Sequence, residues 1–198
     1  NVTDNQTMGN VTDNQTMGNV TDNQTMGNVS TMQLQLYEGW NFISIPTELT
    51  EGNDTIEAVF QDVDMAGREV YRFTQASGWE TLANDTVLEV LDAYWVYSSE
   101  TTNVTLNVST DPVNVPASKD LAEGWSGIGL ADTQPRSANE TLQSVEDNWV
   151  YLLGYNAETQ QYEQVIINGA QGENQTMVPM KGYWLFMRDP GSLGALTV

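Results

Sequence analysis

The sequence predicts a mainly β protein: two tandem, duplicated small modules of β-sandwich or barrel type, each with one short helix, behind an extended N-terminal repeat segment. Three observations point there. Asn1–Gly9, Asn10–Gly18 and Asn19–Gly27 are identical copies of NVTDNQTMG, and a fourth begins at Asn28. Beyond them, six short motifs recur in the same order at offsets of 80 to 90 residues. Between these motifs lie short runs rich in Val, Ile, Thr and aromatic residues, punctuated by Gly, Pro and Asn, which is strand-and-turn chemistry.

The repeat segment, residues 1–32, carries too little apolar surface to fold alone, with only Val and Met in each copy. As a strand it alternates, Val2, Asp4, Gln6 and Met8 on one side and Asn1, Thr3, Asn5 and Thr7 on the other. That pattern fits either strand addition to a neighbouring subunit's sheet edge or packing on the chain's own body.

The duplication defines the body as residues 33–113 and 114–198, joined near Asp111–Pro116. Leu36-Tyr37-Glu38-Gly39-Trp40 recurs as Leu121-Ala122-Glu123-Gly124-Trp125, and Asn53-Asp54-Thr55-Ile56 as Asn139-Glu140-Thr141-Leu142. Val70-Tyr71 matches Val150-Tyr151, Trp79-Glu80 matches Tyr162-Glu163, and Asn84-Asp85-Thr86 matches Asn174-Gln175-Thr176. Tyr94-Trp95-Val96-Tyr97 against Tyr183-Trp184-Leu185-Phe186 closes the set.

Within the first module Trp40 to Ile45 is a strand that stops at Pro46. Ile56, Val59 and Phe60 fall at i, i+3 and i+4 after Asp54, with Glu57 three residues on: a capping-box start to a helix. Glu69 to Thr74 and Trp79 to Leu82, joined through Gln75–Gly78, form a hairpin. Tyr94 to Tyr97 is apolar on both faces and belongs at the centre of a sheet covered on both sides. Val104, Leu106 and Val108 alternate with Asn103, Thr105 and Asn107 in a half-exposed strand. The second module repeats this order and ends on Leu196 and Val198.

Gly39-Trp40-Asn41-Phe42-Ile43-Ser44-Ile45-Pro46, followed by Val-Tyr, Gly-Trp and Ala-Tyr-Trp-Val strands, resembles a repeated module of archaeal secreted cell-surface proteins, S-layer-type and other envelope proteins. The resemblance covers residues 34–198 and implies a structural role. The second copy departs from it at Trp125-Ser126-Gly127-Ile128-Gly129, where Asn and Pro are expected.

Composition narrows the chemistry. The 198 residues include no His and no Cys, which excludes Ser-His-Asp and Cys-His nucleophiles, tetrahedral zinc, iron–sulfur clusters and c-type haem. With 27 acidic and 6 basic side chains the net charge is −21, which argues against nucleic acid and anionic membranes as partners. No run is long and apolar enough to span a bilayer.

Of 18 asparagines, 13 sit in N-x-Ser/Thr: Asn1, Asn5, Asn10, Asn14, Asn19, Asn23, Asn28, Asn53, Asn84, Asn103, Asn107, Asn139 and Asn174. That density predicts a secreted, N-glycosylated protein whose signal peptide has been removed.

Asp62-Val63-Asp64-Met65-Ala66-Gly67 opens like a calcium loop but lacks the later acids, so a solvated turn is the expectation. Glu38/Glu123 and Glu80/Glu163 are the acids shared by both copies and the material for a carboxylate glycosidase. Trp95 and Trp184 belong in the core, while Trp79 and Trp149 are free to be either core or sugar platform.

The resulting expectation is a non-enzymatic extracellular structural glycoprotein of an archaeal surface layer or filament. It has no catalytic, cofactor or metal residues and carries covalent glycans, with a structural Ca2+ as the minor alternative. It assembles with itself and with envelope proteins or glycans. The alternatives are an adhesin or carbohydrate-binding module and, third, the glycosidase.

Overall fold

The computed structural model describes residues 29–109, 115–170 and 175–195. The nonapeptide repeats, and with them the expectation of an intersubunit strand, lie outside the described residues, as do Asn1, Asn5, Asn10, Asn14, Asn19, Asn23, Asn28, Asn174, Leu196 and Val198. The described chain is mainly β, arranged in antiparallel sheets with short helices.

In residues 29–109 the first strand, β1 (Val29–Leu36), begins inside the 1–32 segment. β2 (Gly39–Ser44) follows after a corner that Asn41 closes. Its buried carboxamide accepts from the Tyr37 N–H at 2.8 Å and donates to the Tyr37 carbonyl at 2.8 Å. α1 (Ile56–Phe60) buries Ile56, Val59 and Phe60 as their spacing requires. Its cap is Thr55, whose hydroxyl accepts from the Ala58 N–H at 3.2 Å, so the helix starts one residue later than the Asp54–Glu57 box predicts. β3 (Val70–Thr74) and β4 (Gly78–Leu82) form the expected hairpin, and β5 (Ala93–Ser98) and β6 (Thr102–Ser109) complete this half. β1 pairs with β6 along its whole length, and the other strands form a sheet in the order β2-β5-β3-β4. One core fills the space between them: Leu34, Leu36, Val104, Leu106 and Val108 meet Ile43, Ile45, Tyr94, Val96 and the α1 residues.

Residues 115–195 comprise β7 (Ser118–Leu121), β8 (Gly124–Gly129), β9 (Arg136–Ser137) and α2 (Ala138–Thr141), then a 3-10 turn at Gln143–Val145. They continue through β10 (Trp149–Asn156), β11 (Gln161–Tyr162), β12 (Ile166–Ile167), β13 (Thr176–Met177), β14 (Gly182–Met187) and β15 (Gly191–Gly194). β7 pairs with β15, and the main sheet runs β8-β14-β10-β11, with β12 also on β10. A capping box is present at α2, where Ser137 and Glu140 bond reciprocally. Trp149 is buried in this half's core. A register shift between Trp149 and Tyr151 sets Leu153 opposite Trp184, as Tyr71 stands opposite Trp95. Leu152, rather than Val150, therefore takes the buried place that Val70 has in the first half.

The two main sheets pack face to face, so β5 is covered twice. Tyr94 and Val96 face their own core, while Ala93 and Trp95 enter an aromatic cluster between the sheets with Phe42, Tyr155 and Trp184. The contacts are reciprocal. The Ser44 N–H donates to the Met180 carbonyl at 3.1 Å, and the Gly129 N–H to the Leu91 carbonyl at 3.0 Å. Leu91 and Met180 both have left-handed backbones (φ 69° and 62°). Each sends its side chain onto the other half's core. Gly39 and Gly124 (φ 101° and 103°) likewise each face a glutamine of the other half, Gln160 and Gln75. Gln160 bridges the Trp40 backbone, accepting from its N–H at 2.8 Å and donating to its carbonyl at 2.9 Å.

Candidate functional site

Alternation along the strands turns two sets of positions to the inter-sheet faces: Trp40 and Phe42 with Trp95, and Trp125 and Gly127 with Trp184. The packing of the two sheets leaves some of their aromatic residues open to solvent. Trp79 on β4 is 58% exposed and Tyr162 on β11 is 56% exposed. Trp79 stands edge-on to Phe73 (5.5 Å, 70°) and to Trp184 of the other half (5.7 Å, 84°).

Two clefts result, meeting at Trp79. One, of about 290 Å³, is lined by Phe73, Trp79, Trp125, Leu153, Tyr162 and Trp184. The other, of about 430 Å³, is lined by Trp40, Tyr71, Trp79 and Trp95. Among the described residues neither is lined by a charged side chain. Trp79 was the one ring of this set that the sequence marked as open to a platform role. Trp125 and Tyr162 join it, and Trp184, expected in the core, is half-buried on the cleft wall. Trp149 is core.

The acids shared by the two halves stand elsewhere. Glu38 and Glu123 are exposed beside the Gly-Trp turns. Glu80 accepts from Arg72 at 2.9 Å, and Glu163 is paired with Lys181. Arg72 also reaches Asp92 at 2.9 Å, and Lys119 pairs with Asp92 across the two halves. The Arg72 hydrogen bond, with a lesser one from Ser77, holds Glu80 below the usual carboxylate range. Hydrogen bonds do the same for Asp64, from the Ala66 N–H and then Ser99, and for Glu140, from Ser137. Asp132 is pushed up by burial but brought lower overall by the Gln134 N–H and Arg136.

These acids favour the folded state at neutral pH and lose that advantage as pH falls through their lowered pKa values. Side-chain carboxyl NMR shifts followed from neutral to acid pH are expected to give Glu80, Asp64, Asp132 and Glu140 midpoints below the roughly 3.9 and 4.3 of free Asp and Glu. A Glu80 midpoint at or above the free value contradicts the ion pair.

Asp64 of the calcium-like loop caps its own turn. Its carboxylate accepts from the Ala66 N–H at 2.9 Å and from the Ser99 hydroxyl at 2.8 Å. No group of three or more potential metal ligands occurs among the described residues. Asn53, Asn84, Asn103 and Asn139 are exposed. Asn107 is half-buried and donates to Asn53 at 3.2 Å. No helix among the described residues is long and apolar enough to cross a membrane. No protein-family model, curated protein or solved structure matches the chain.

Proposed function

We propose that this chain is a non-enzymatic extracellular structural glycoprotein, built from two tandem copies of one β-rich module and assembling with itself in an archaeal surface layer or filament. The observation that carries the reading is the position of the sequons. Four of the five described, Asn53, Asn84, Asn103 and Asn139, project from exposed turns, an outer strand face and a short helix. A glycan at any of them meets solvent rather than core.

The two-module organisation is supported by the shared pairing order. In both halves the first strand pairs with the last, and the second strand is followed across the sheet by the penultimate long strand and a hairpin. The non-enzymatic reading is supported by the acids. A glycosidase needs one carboxyl held above the ordinary range, and among the described residues Asp64, Glu80, Asp132 and Glu140 move the other way.

Intact-mass and peptide mapping of the protein from its native source is expected to find glycan on these four asparagines. Bare asparagines at all thirteen sequons sink the glycoprotein reading. Assembly is expected to require the N-terminal repeats, and its test removes residues 1–28, leaving β1 whole. Filaments or sheets formed equally well without them contradict that role. A second reading, an adhesin that binds carbohydrate, is favoured by the solvent-open Trp79, Trp125 and Tyr162.

A further inference from the structure

Resting on that adhesin reading, we propose that the two aromatic clefts are one binding track for a neutral oligosaccharide, laid across the seam with its sugar rings against Trp79, Trp125 and Tyr162. A groove of exposed rings in an otherwise acidic surface is the kind of patch that marks a binding site. The smaller cleft has walls from both halves, Phe73 and Trp79 on one side and Trp125, Leu153, Tyr162 and Trp184 on the other, and the larger is lined by Trp40, Tyr71, Trp79 and Trp95 of the first half. The continuous track therefore exists only where the halves are joined.

The chemistry of the walls selects the ligand. Leu153 is the one aliphatic residue lining the two clefts, and the rest are rings. Trp79 meets Phe73 and Trp184 in T-shaped rather than stacked pairs and is more than half exposed, so ring surface stays open to a partner. Such faces suit a flat partner with apolar C–H surfaces and hydroxyls at its edge, which describes a pyranose. The net charge of −21 repels an anionic polymer. A cation gains only the cation–π attraction of the rings. Among the described residues no carboxylate lines the walls, and Glu80 and Glu163, carried by the neighbouring strand positions, already hold Arg72 and Lys181. Two clefts of about 290 and 430 Å³ sharing Trp79 accommodate a chain of sugars better than a single one.

The test is calorimetric titration of the full-length protein with neutral hexasaccharides of glucose, mannose and N-acetylglucosamine, alongside the three monosaccharides. At least one hexasaccharide is expected to bind, at least tenfold more tightly than its monosaccharide. Trp79→Ala and Trp125→Ala are each expected to weaken binding at least tenfold, with Trp79→Tyr largely restoring it. Tyr151→Ala, an exposed ring outside both clefts, should leave binding unchanged. Circular dichroism confirms that the variants are folded.

The proposal is overturned if no hexasaccharide binds, or if binding ignores both tryptophan changes. It is also overturned if sedimentation shows a dimer that Trp79→Ala dissolves, since the cleft then belongs to a second copy. A glycosylated, assembling protein that binds none of the sugars removes this ligand assignment and leaves the structural reading standing.

Discussion

Phe42→Ala is expected to destabilise the protein by about 3–5 kcal/mol, at the upper end of what core truncations cost. Phe42 is 4% exposed, stacks on Trp95 at 4.6 Å and 11°, and meets Trp184 of the other half at 5.2 Å. The cost is high because the opposing sheet cannot collapse into the space. The positions facing the ring are Gly127 and Gly182, and a Cβ at Gly182 would lie 2.9 Å from the ring carbons. Backbone that has no side chain to swing inward leaves a cavity, and cavity volume adds to the lost transfer energy. Equilibrium urea unfolding followed by tryptophan fluorescence measures this. A loss under about 1 kcal/mol would show that the ring does not hold the halves together. Gly127→Ala, whose Cβ would sit at ordinary contact distances of 3.4–3.6 Å from Ala93 and Phe42, is expected to recover part of the loss when combined with Phe42→Ala.

Those same glycines mark the boundary of what the sequence discloses. Strand existence follows from local pattern, and the alternation of Val104, Leu106 and Val108 lands on the core of the first half. The two apolar faces of Tyr94–Tyr97 correctly require a covered central strand, but periodicity does not name the cover. It turns out to be the other half's sheet. For the same reason Trp125-Ser126-Gly127-Ile128-Gly129 looks like a degraded copy of Trp40–Ser44, although Gly129 is where Ser44 comes closest. The side chains of one half fill the space that the glycines of the other leave open.

Two smaller misses are local. Thr55 and Asp54 can both cap a helix, and sequence does not choose between neighbours that share a chemistry. The bulge after Trp149 moves the buried position from Val150 to Leu152 without a glycine to announce it.

The candidate site was half legible. Trp79 is separable from the core aromatics because it pairs with Phe73 at the far edge of its sheet. Trp125 and Tyr162 were not, because their exposure depends on how one sheet packs on the other. A usable signal was present in the phase of alternation. Trp40 and Trp125 lie out of step with the residues of β2 and β8 that enter their own cores, Ile43 and Ile128. Any aromatic residue in that phase faces either the other half or solvent.

Leu91 is the position where the sequence gives no warning and truncation is expected to cost about 2–5 kcal/mol as Leu91→Ala. It is 1% exposed, yet it belongs to the second half's core cluster, which includes Ile128, Leu142 and Tyr183. Its φ of 69° is what turns the side chain away from its own sheet. A left-handed backbone costs a residue with a Cβ roughly 1–2 kcal/mol, so burial of this leucine has to outweigh strain at the same residue. Alanine keeps the strain and loses the packing. Glycine loses the same packing but sheds the strain, and should therefore be less damaging than alanine by about 0.5–1 kcal/mol, the reverse of the usual order within a strand or helix. Paired urea-unfolding curves for Leu91→Ala and Leu91→Gly decide the matter. If glycine proves the worse of the two, the left-handed backbone is not what delivers Leu91 into the opposite core. If both changes cost under about 1 kcal/mol, the reciprocal insertion of Leu91 and Met180 is not what makes the two halves one cooperative unit.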